Sequence, residues 1–364
     1  MRSLRVVLLV GVLVVAGLLV AGLWLSRNDL RSESGSRTSL EQALEPLPPL
    51  VFVRGADIWR SDAGQAAPRQ LTKLESPSYA LHPTLSPDGL WLTYVVIGPP
   101  TAGAELPLPS SKLYIMRSDG SEQRVLWNPP QGLIGLSSWT QDSRSLYVGI
   151  GGMHMAPAAL GGMQLLEIVK IDVDTGTAQP VLEDAQDPTL SPDGTLLAYL
   201  KLNTGAAADQ AVTMTLEVTT LDGLRAHQVL DGTRFQALSA PRFSPDGTQI
   251  VFAAVGGPET DAHSLPARPA TTPAAVLDRV LAWLTPSATA HGQLYDIWVI
   301  NTDGTGLRRL TRLNEDQPMA VFAPDGTELV IMGGNGIYRL NTDGSRLRKI
   351  DPQGGHGGLD WLPR

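Results

Sequence analysis

The chain contains no cysteine. That excludes disulfides, thiol chemistry, thiolate metal sites and a lipid-modified N-terminal cysteine. Aromatic residues are sparse, at 5% of 364 residues, and charged residues make up only 18%. The formal net charge of −8 comes with no basic stripe, which argues against a nucleic-acid partner. No Gly-x-Ser-x-Gly nucleophile elbow occurs, so a serine hydrolase domain of the α/β type is not encoded. What the chain has in quantity is turn formers, with 37 glycines and 28 prolines.

The turn formers recur in a pattern. Ser86-Pro87-Asp88-Gly89 returns as Ser191-Pro192-Asp193-Gly194 and as Ser244-Pro245-Asp246-Gly247. A weakened copy is Ala323-Pro324-Asp325-Gly326, and a degenerate one, Thr140-Gln141-Asp142-Ser143, fills the long gap. Successive aspartates Asp88, Asp142, Asp193 and Asp246 lie about fifty residues apart, a period that signals a repeat architecture. Proline presets φ for the turn, and glycine takes the left-handed conformation that completes a tight hairpin. Apolar residues flank each copy on strand spacing, as in Leu92-Tyr94, Leu197-Tyr199, Ile250-Phe252 and Leu329-Ile331.

A second hairpin follows in each repeat. Examples are Ile297 to Ile300 leading to Asp303-Gly304, and Ile337 to Leu340 leading to Asp343-Gly344. Two hairpins make a four-stranded antiparallel unit, a propeller blade. Five blades carry their own first strand. The segments Leu50 to Val53, Ile58 to Arg60 and Arg69 to Thr72 supply a sixth that lacks one, and Leu359 to Leu362 is an orphan first strand. Joining them closes the ring and removes two exposed sheet edges. The expected fold is therefore all-β, a six-bladed β-propeller over residues 49–364, closed by the C-terminal strand and preceded by one N-terminal transmembrane helix.

The Ser-Pro-Asp-Gly turn followed by the Asp-Gly hairpin resembles the TolB-type propeller repeat, also called the PD40 or WD40-like repeat. The same repeat occurs in the propellers of prolyl-oligopeptidase-type enzymes. The resemblance covers nearly everything after residue 48. It implies a bacterial envelope setting, without the N-terminal domain of TolB and without a peptidase domain.

Val6 to Leu25 runs about twenty residues without a charge, enough to span a bilayer as a helix. Arg2 and Arg5 precede it, which places the N-terminus in the cytoplasm and the propeller on the extracytoplasmic side, periplasmic or at the cell surface. The competing reading is a cleaved signal peptide, although the apolar run is long for one and no clear Ala-x-Ala site follows. Residues 1–25 are thus read as a signal-anchor and 26–48 as a polar linker.

The connections between second and third strands are the long ones: Gly98 to Ser110, Gly151 to Gly162, Asn203 to Ala211 and Gly256 to Gly292. All should decorate one face of the disc, where function on a rigid scaffold concentrates. They are poor in charge and rich in Pro, Gly, Ala and Leu. They either fold over one another as a cap or form an apolar docking surface. The insertion 256–292 holds a short amphipathic helix: Thr272 caps it, Pro273 opens it, and Pro286 stops it. Its apolar residues Val276, Leu277, Val280, Leu281, Trp283 and Leu284 are the candidate partner-binding set. Packing on its own propeller and lying on a membrane interface are the alternatives.

Chemistry on a propeller draws on the central channel. The residue five before each turn proline should sit at the channel mouth: His82, Leu136, Asp187, Ala240, Met319 and Gly358. Only His82 and Asp187 ionise, on blades that are not adjacent, and polar residues there commonly meet channel water. Met153-His154-Met155 with Met163 is the one soft-ligand cluster, a spacing that suits Cu(I) but that packing alone also explains. The basic clusters Arg308-Arg309 and Arg346 to Lys349 read as solvated protection of outer strands.

The expectation is a membrane-anchored extracytoplasmic propeller, a platform for a protein partner in the cell envelope, with no cofactor and no catalysis of its own. The alternatives are a propeller hydrolase or lactonase using a divalent cation in the channel, and a small-molecule or glycan sensor.

Overall fold

The computed structural model describes residues 45–363 except 66, 101–108, 130–131, 155–162, 204–212, 223–224 and 259–293. The transmembrane segment read at residues 1–25 and the helix bearing Val276 to Leu284 lie outside the described residues. Among those described, no helix is long and apolar enough to cross a membrane. The compact unit begins at Glu45.

Six four-stranded antiparallel sheets follow one another around a ring. Blades 2 to 6 each run in chain order from an inner strand outward. Their inner strands are Tyr79–Leu85, Leu133–Trp139, Ala185–Leu190, Phe235–Phe243 and Met319–Phe322. Blade 1 is composite: its inner strand, Leu359–Trp361, comes from the C-terminus and pairs with Leu50–Arg54. The register is Leu50 to Trp361, Val51 to Asp360 and Phe52 to Leu359. Leu362 N–H extends the join by donating to the Pro49 carbonyl at 3.0 Å. The closure expected from the orphan strand is the one observed.

The second strands are buried on both faces, because each blade is packed between two neighbours. Their side-chain alternation divides an apolar strand between two seams. Leu50 and Phe52 face blade 6, with Val321, Val330 and Met332, while Val51 and Val53 face blade 2, with Ala80, Leu92 and Tyr94. Ile250, Phe252 and Ala254 likewise face blade 4, and Val251, Ala253 and Val255 face blade 6. The hydrophobic core is thus a ring of separate wedges, one per seam.

The repeated turn has a common construction. The Ser86, Ser191 and Ser244 hydroxyls donate to Asp88, Asp193 and Asp246 at 2.5, 2.5 and 2.6 Å. Each serine oxygen also accepts the N–H that opens the next strand, from Trp91, Leu196 and Gln249 at 2.9 Å. Thr140 does the same for Asp142 and Ser145 in the degenerate copy. Gly89, Gly194, Gly247 and Gly326 all hold φ near +71°, and Ser143 takes φ +56° in their stead. Neighbouring turns nest: a Cβ on Gly89 would stand 2.9 Å from Pro363, and one on Gly247 would stand 3.5 Å from Pro192. Proline and glycine of the motif therefore serve adjacent blades as well as their own.

Of the basic clusters, read from the sequence as solvated edge protection, Arg346 and Lys349 are exposed, whereas Arg308, Arg309 and Arg348 are engaged by partners. Arg309 forms a buried ion pair with Asp296, whose other oxygen accepts from Thr311 and Asn314. Arg308 donates to the Thr342 carbonyl of the next blade at 2.8 Å. Arg69 and Arg124 reach the next blade in the same way, to Asp119 and Val173. Arg348 holds Glu45 at 3.0 Å instead, which fastens the incoming chain to blade 6. Arg69, Arg124 and Arg308 are blade-to-blade clasps.

Deleting residues 356–364 should leave the edge of Leu50–Arg54 unpaired and uncover Leu50 and Phe52. At roughly 2 kcal/mol per buried side chain this is a large share of a domain's stability of about 5–15 kcal/mol. The truncated chain should aggregate on expression and show no cooperative unfolding. A soluble truncation with a sharp urea transition would contradict ring closure as the organising contact.

Candidate functional site

Of the six positions five before the turn proline, Leu136, Ala240 and Met319 pack together, Gly358 lies against Met319 and His82, and Asp187 accepts from Ala240 N–H. Several of the inner strands are bulged at this position. His82, Asp187 and Ala240 each take φ +53°, and Gly358 takes φ +93°. The strand pairing slips at His82, Asp187 and Ala240, as a β-bulge requires. A bulge re-aims side chains. The first tier of inner-strand positions is His82, Leu136, Asp187, Ala240, Met319 and Gly358, and the second, two residues on, is Thr84, Ser138, Thr189, Arg242 and Asp360, with Val321 of blade 6 buried in the seam against Leu50 and Phe52 instead.

The first tier is partly closed. Leu136, Ala240 and Met319 are buried against one another, an apolar plug contributed by blades 3, 5 and 6. A Cβ on Gly358 would strike Met319 Sδ at 2.8 Å, so only glycine lets Met319 lie across the mouth. His82 N–H donates to the Gly357 carbonyl at 2.5 Å, while its Nδ1 is buried with no hydrogen-bond partner.

The polar residues form a charged group that the sequence reading captured only in part. Asp187 accepts from the Ala240 N–H at 3.0 Å, and Asp360 accepts from the Leu85 N–H at 2.8 Å. Each carboxylate therefore staples its blade to the next. Arg242 lies within electrostatic reach of both. Arg242 and Asp360 stand three residues before the turn proline of their repeats, not at the position five before it that the sequence reading singles out.

His82, Asp187, Arg242 and Asp360 are half-buried on the inner strands of the ring. Their depth in the disc governs their titration. Burial lowers His82 from 6.5 to about 4, with Arg242 pushing the same way. Burial raises Asp360 to about 6, opposed by the Leu85 N–H and by Arg242. Burial raises Asp187 as well, opposed by the Ala240 N–H and Arg242. Burial lowers Arg242, and Asp360 and Asp187 hold it up.

The turn aspartates behave oppositely. Asp142, Asp193 and Asp246 are lowered, first by the Thr140, Ser191 and Ser244 hydroxyls and then by backbone N–H donors. Among the described residues, no group of three His, Asp or Glu side chains is placed to hold a metal ion. Met163 pairs with His154 across two strands, and Met155 lies outside the described residues.

The channel shifts have opposite linkage signs. His82 is neutral in the fold at pH values where the unfolded chain is protonated, so stability falls as pH drops from 6.5 towards 4. Asp360 is protonated in the fold where the unfolded chain is ionised, so stability falls as pH rises from 3.8 towards 6. Asp187 shares the sign of Asp360. Relative to wild type, His82→Gln should therefore gain stability as pH falls from about 7 to about 4.5, and Asp360→Asn should gain it as pH rises over that range. Urea midpoints of the three proteins at the two pH values check this. Mutant-to-wild-type differences that do not change with pH would contradict it.

No protein-family model matches the chain, and no curated protein sequence matches it. Solved structures do. TolB from Acinetobacter baumannii superposes with a TM-score of 0.57 at 15% identity, covering 86% of this chain and 66% of that one. A TolB-type protein from Agrobacterium tumefaciens gives 0.54 at 14% identity, covering 82% and 90%. A chain of the nidogen/laminin complex gives 0.57 at 12% identity, covering 85% and 97%. At such identities the likeness is one of fold: this chain is a six-bladed β-propeller of TolB-like architecture.

Proposed function

We propose that this chain is a membrane-anchored, extracytoplasmic interaction platform that docks a protein partner and performs no catalysis of its own. The observation that carries this reading is the channel. Its mouth is filled by Leu136, Ala240 and Met319, packed against one another where an open substrate pocket would need space. The charged group beside the plug contains Arg242, whose positive charge opposes the divalent cation that a propeller lactonase would hold between Asp187 and Asp360. The likeness to TolB and to a chain of a nidogen/laminin complex supports a role in protein association.

Where the chain joins the ring supports an orientation. Pro49 meets Leu362 at the end of the disc that carries the Ser-Pro-Asp-Gly turns. An anchor at residues 1–25 would hold that face towards the membrane. The long loops, with Val276, Leu277, Val280, Leu281, Trp283 and Leu284, would then face away from it and meet a soluble or envelope-bound protein.

The test uses the full-length chain in native membranes. Crosslinking should capture a discrete protein partner, and L277D/L281D should lose it while still sedimenting with the membrane. Loss of membrane association by the double variant would make the helix an interfacial one and overturn the orientation. Cation-dependent hydrolysis of lactones, abolished by Asp187→Asn, would overturn the non-catalytic reading.

A further inference from the structure

Asn335-Gly336 is the only Asn-Gly pair in the chain. Asparagine before glycine is open to spontaneous deamidation, because no Cβ shields the peptide nitrogen that attacks the side-chain amide. The pair sits at the turn between the strands Glu328–Gly333 and Gly336–Asn341 of blade 6, with Gly333 paired to Gly336. Asn335 is exposed there, so water reaches it. Lys349 Nζ donates to the Asn335 carbonyl at 3.1 Å, which polarises the peptide whose nitrogen would attack.

Both reacting groups are nonetheless held. Glu315, only 1% exposed, comes from the connection between blades 5 and 6 and pairs through its backbone with Tyr295. Its Oε2 accepts from the Asn335 N–H at 3.1 Å and from Asn335 Nδ2 at 3.0 Å. Its Oε1 accepts from the Tyr338 hydroxyl at 2.5 Å. Gly333 makes room for this carboxylate, since a Cβ there would stand 2.8 Å from Glu315 Cδ. On the other side Gly354 packs over Gly336, and a Cβ on it would collide with Gly336 N. The amide that must turn is gripped, and the nitrogen that must attack is covered.

We propose that Asn335 is a one-way deamidation site that Glu315 keeps closed. When the grip fails, Gly336 N attacks Asn335 Cγ. The N–Cγ bond forms, the Cγ–Nδ2 bond breaks, and Nδ2 leaves as ammonia with the Gly336 proton. Water then opens the succinimide at either carbonyl, giving aspartate or isoaspartate. The new carboxylate has no side-chain N–H for Glu315 and repels it. The hold does not re-form, and the hairpin is released from the connection that carries Glu315. This site is separate from the docking reading, and neither depends on the other.

Incubating the full-length chain in mildly alkaline buffer tests this, with ammonia release measured and the peptide containing residue 335 analysed by mass spectrometry. Native wild type should react more slowly than the guanidinium-unfolded chain by about tenfold or more, the worth of a charged hydrogen bond. Glu315→Gln should speed the native reaction by about tenfold, as a charged acceptor becomes a neutral one. Asn335→Asp, which carries the product charge, should lose hydrogen-exchange protection along Gly336–Asn341 while Gln249–Gly256 keeps it. Should Glu315→Gln fail to fold, the two states of wild type and Asn335→Asp still decide. Equal rates in native and unfolded wild type, or a folded Glu315→Gln as slow as wild type, would overturn the grip. Full protection of the hairpin in Asn335→Asp would overturn the release.

Discussion

The antiparallel pairing of Leu359–Trp361 with Leu50–Arg54 is the contact on which the rest of the molecule depends. Each wedge of the core needs a blade on both sides, because the second strands are apolar on both faces. A linear row of blades would expose one apolar face at each end. The join at blade 1 removes both ends at once. It also sets Asp360 opposite Leu85 and brings Gly358 to the channel mouth, so the channel residues owe their positions to the same few hydrogen bonds.

Around this closure the turn motif does two tasks. Its serine and aspartate satisfy the turn's own backbone donors, and its proline and glycine let one blade's turn nest against the next. The outer clasps Arg69, Arg124 and Arg308 repeat the idea at the rim, each spending a cation on a neighbour's carbonyl. At the last seam Arg348 holds Glu45, so the incoming chain is fixed where a further blade would otherwise be gripped. The disc is thereby stitched at its inner strands, its apolar wedges and its rim.

Blade number and closure were legible in the sequence because turn chemistry is local. Ser191-Pro192-Asp193-Gly194 announces a hairpin without knowledge of any distant residue, and even the degenerate Thr140 copy keeps the hydrogen-bonding pair. The clasps were not legible, since a backbone carbonyl such as that of Thr342 leaves no mark on the sequence and Arg308 alone reads as surface. Arg242 and Asp360 escaped for a different reason. The left-handed bulges at His82, Asp187 and Ala240 interrupt the two-residue alternation of the inner strands, so a plain alternation does not reveal which further position carries charge. Leu136, Ala240 and Met319 occupy equivalent positions of their repeats, but only their mutual packing shows that they form an apolar plug.

Native-state hydrogen exchange at the blade 1 join measures the central claim most directly. The claim is that this pairing opens only when the whole ring does. The amides that bridge it, among them Leu362 donating to Pro49 and Val53 donating to Gly358, should then exchange with the free energy of global unfolding and with the same denaturant dependence as the strand Gln249–Gly256. Fast exchange of those amides through a local opening insensitive to denaturant, while Gln249–Gly256 stays protected, would contradict it.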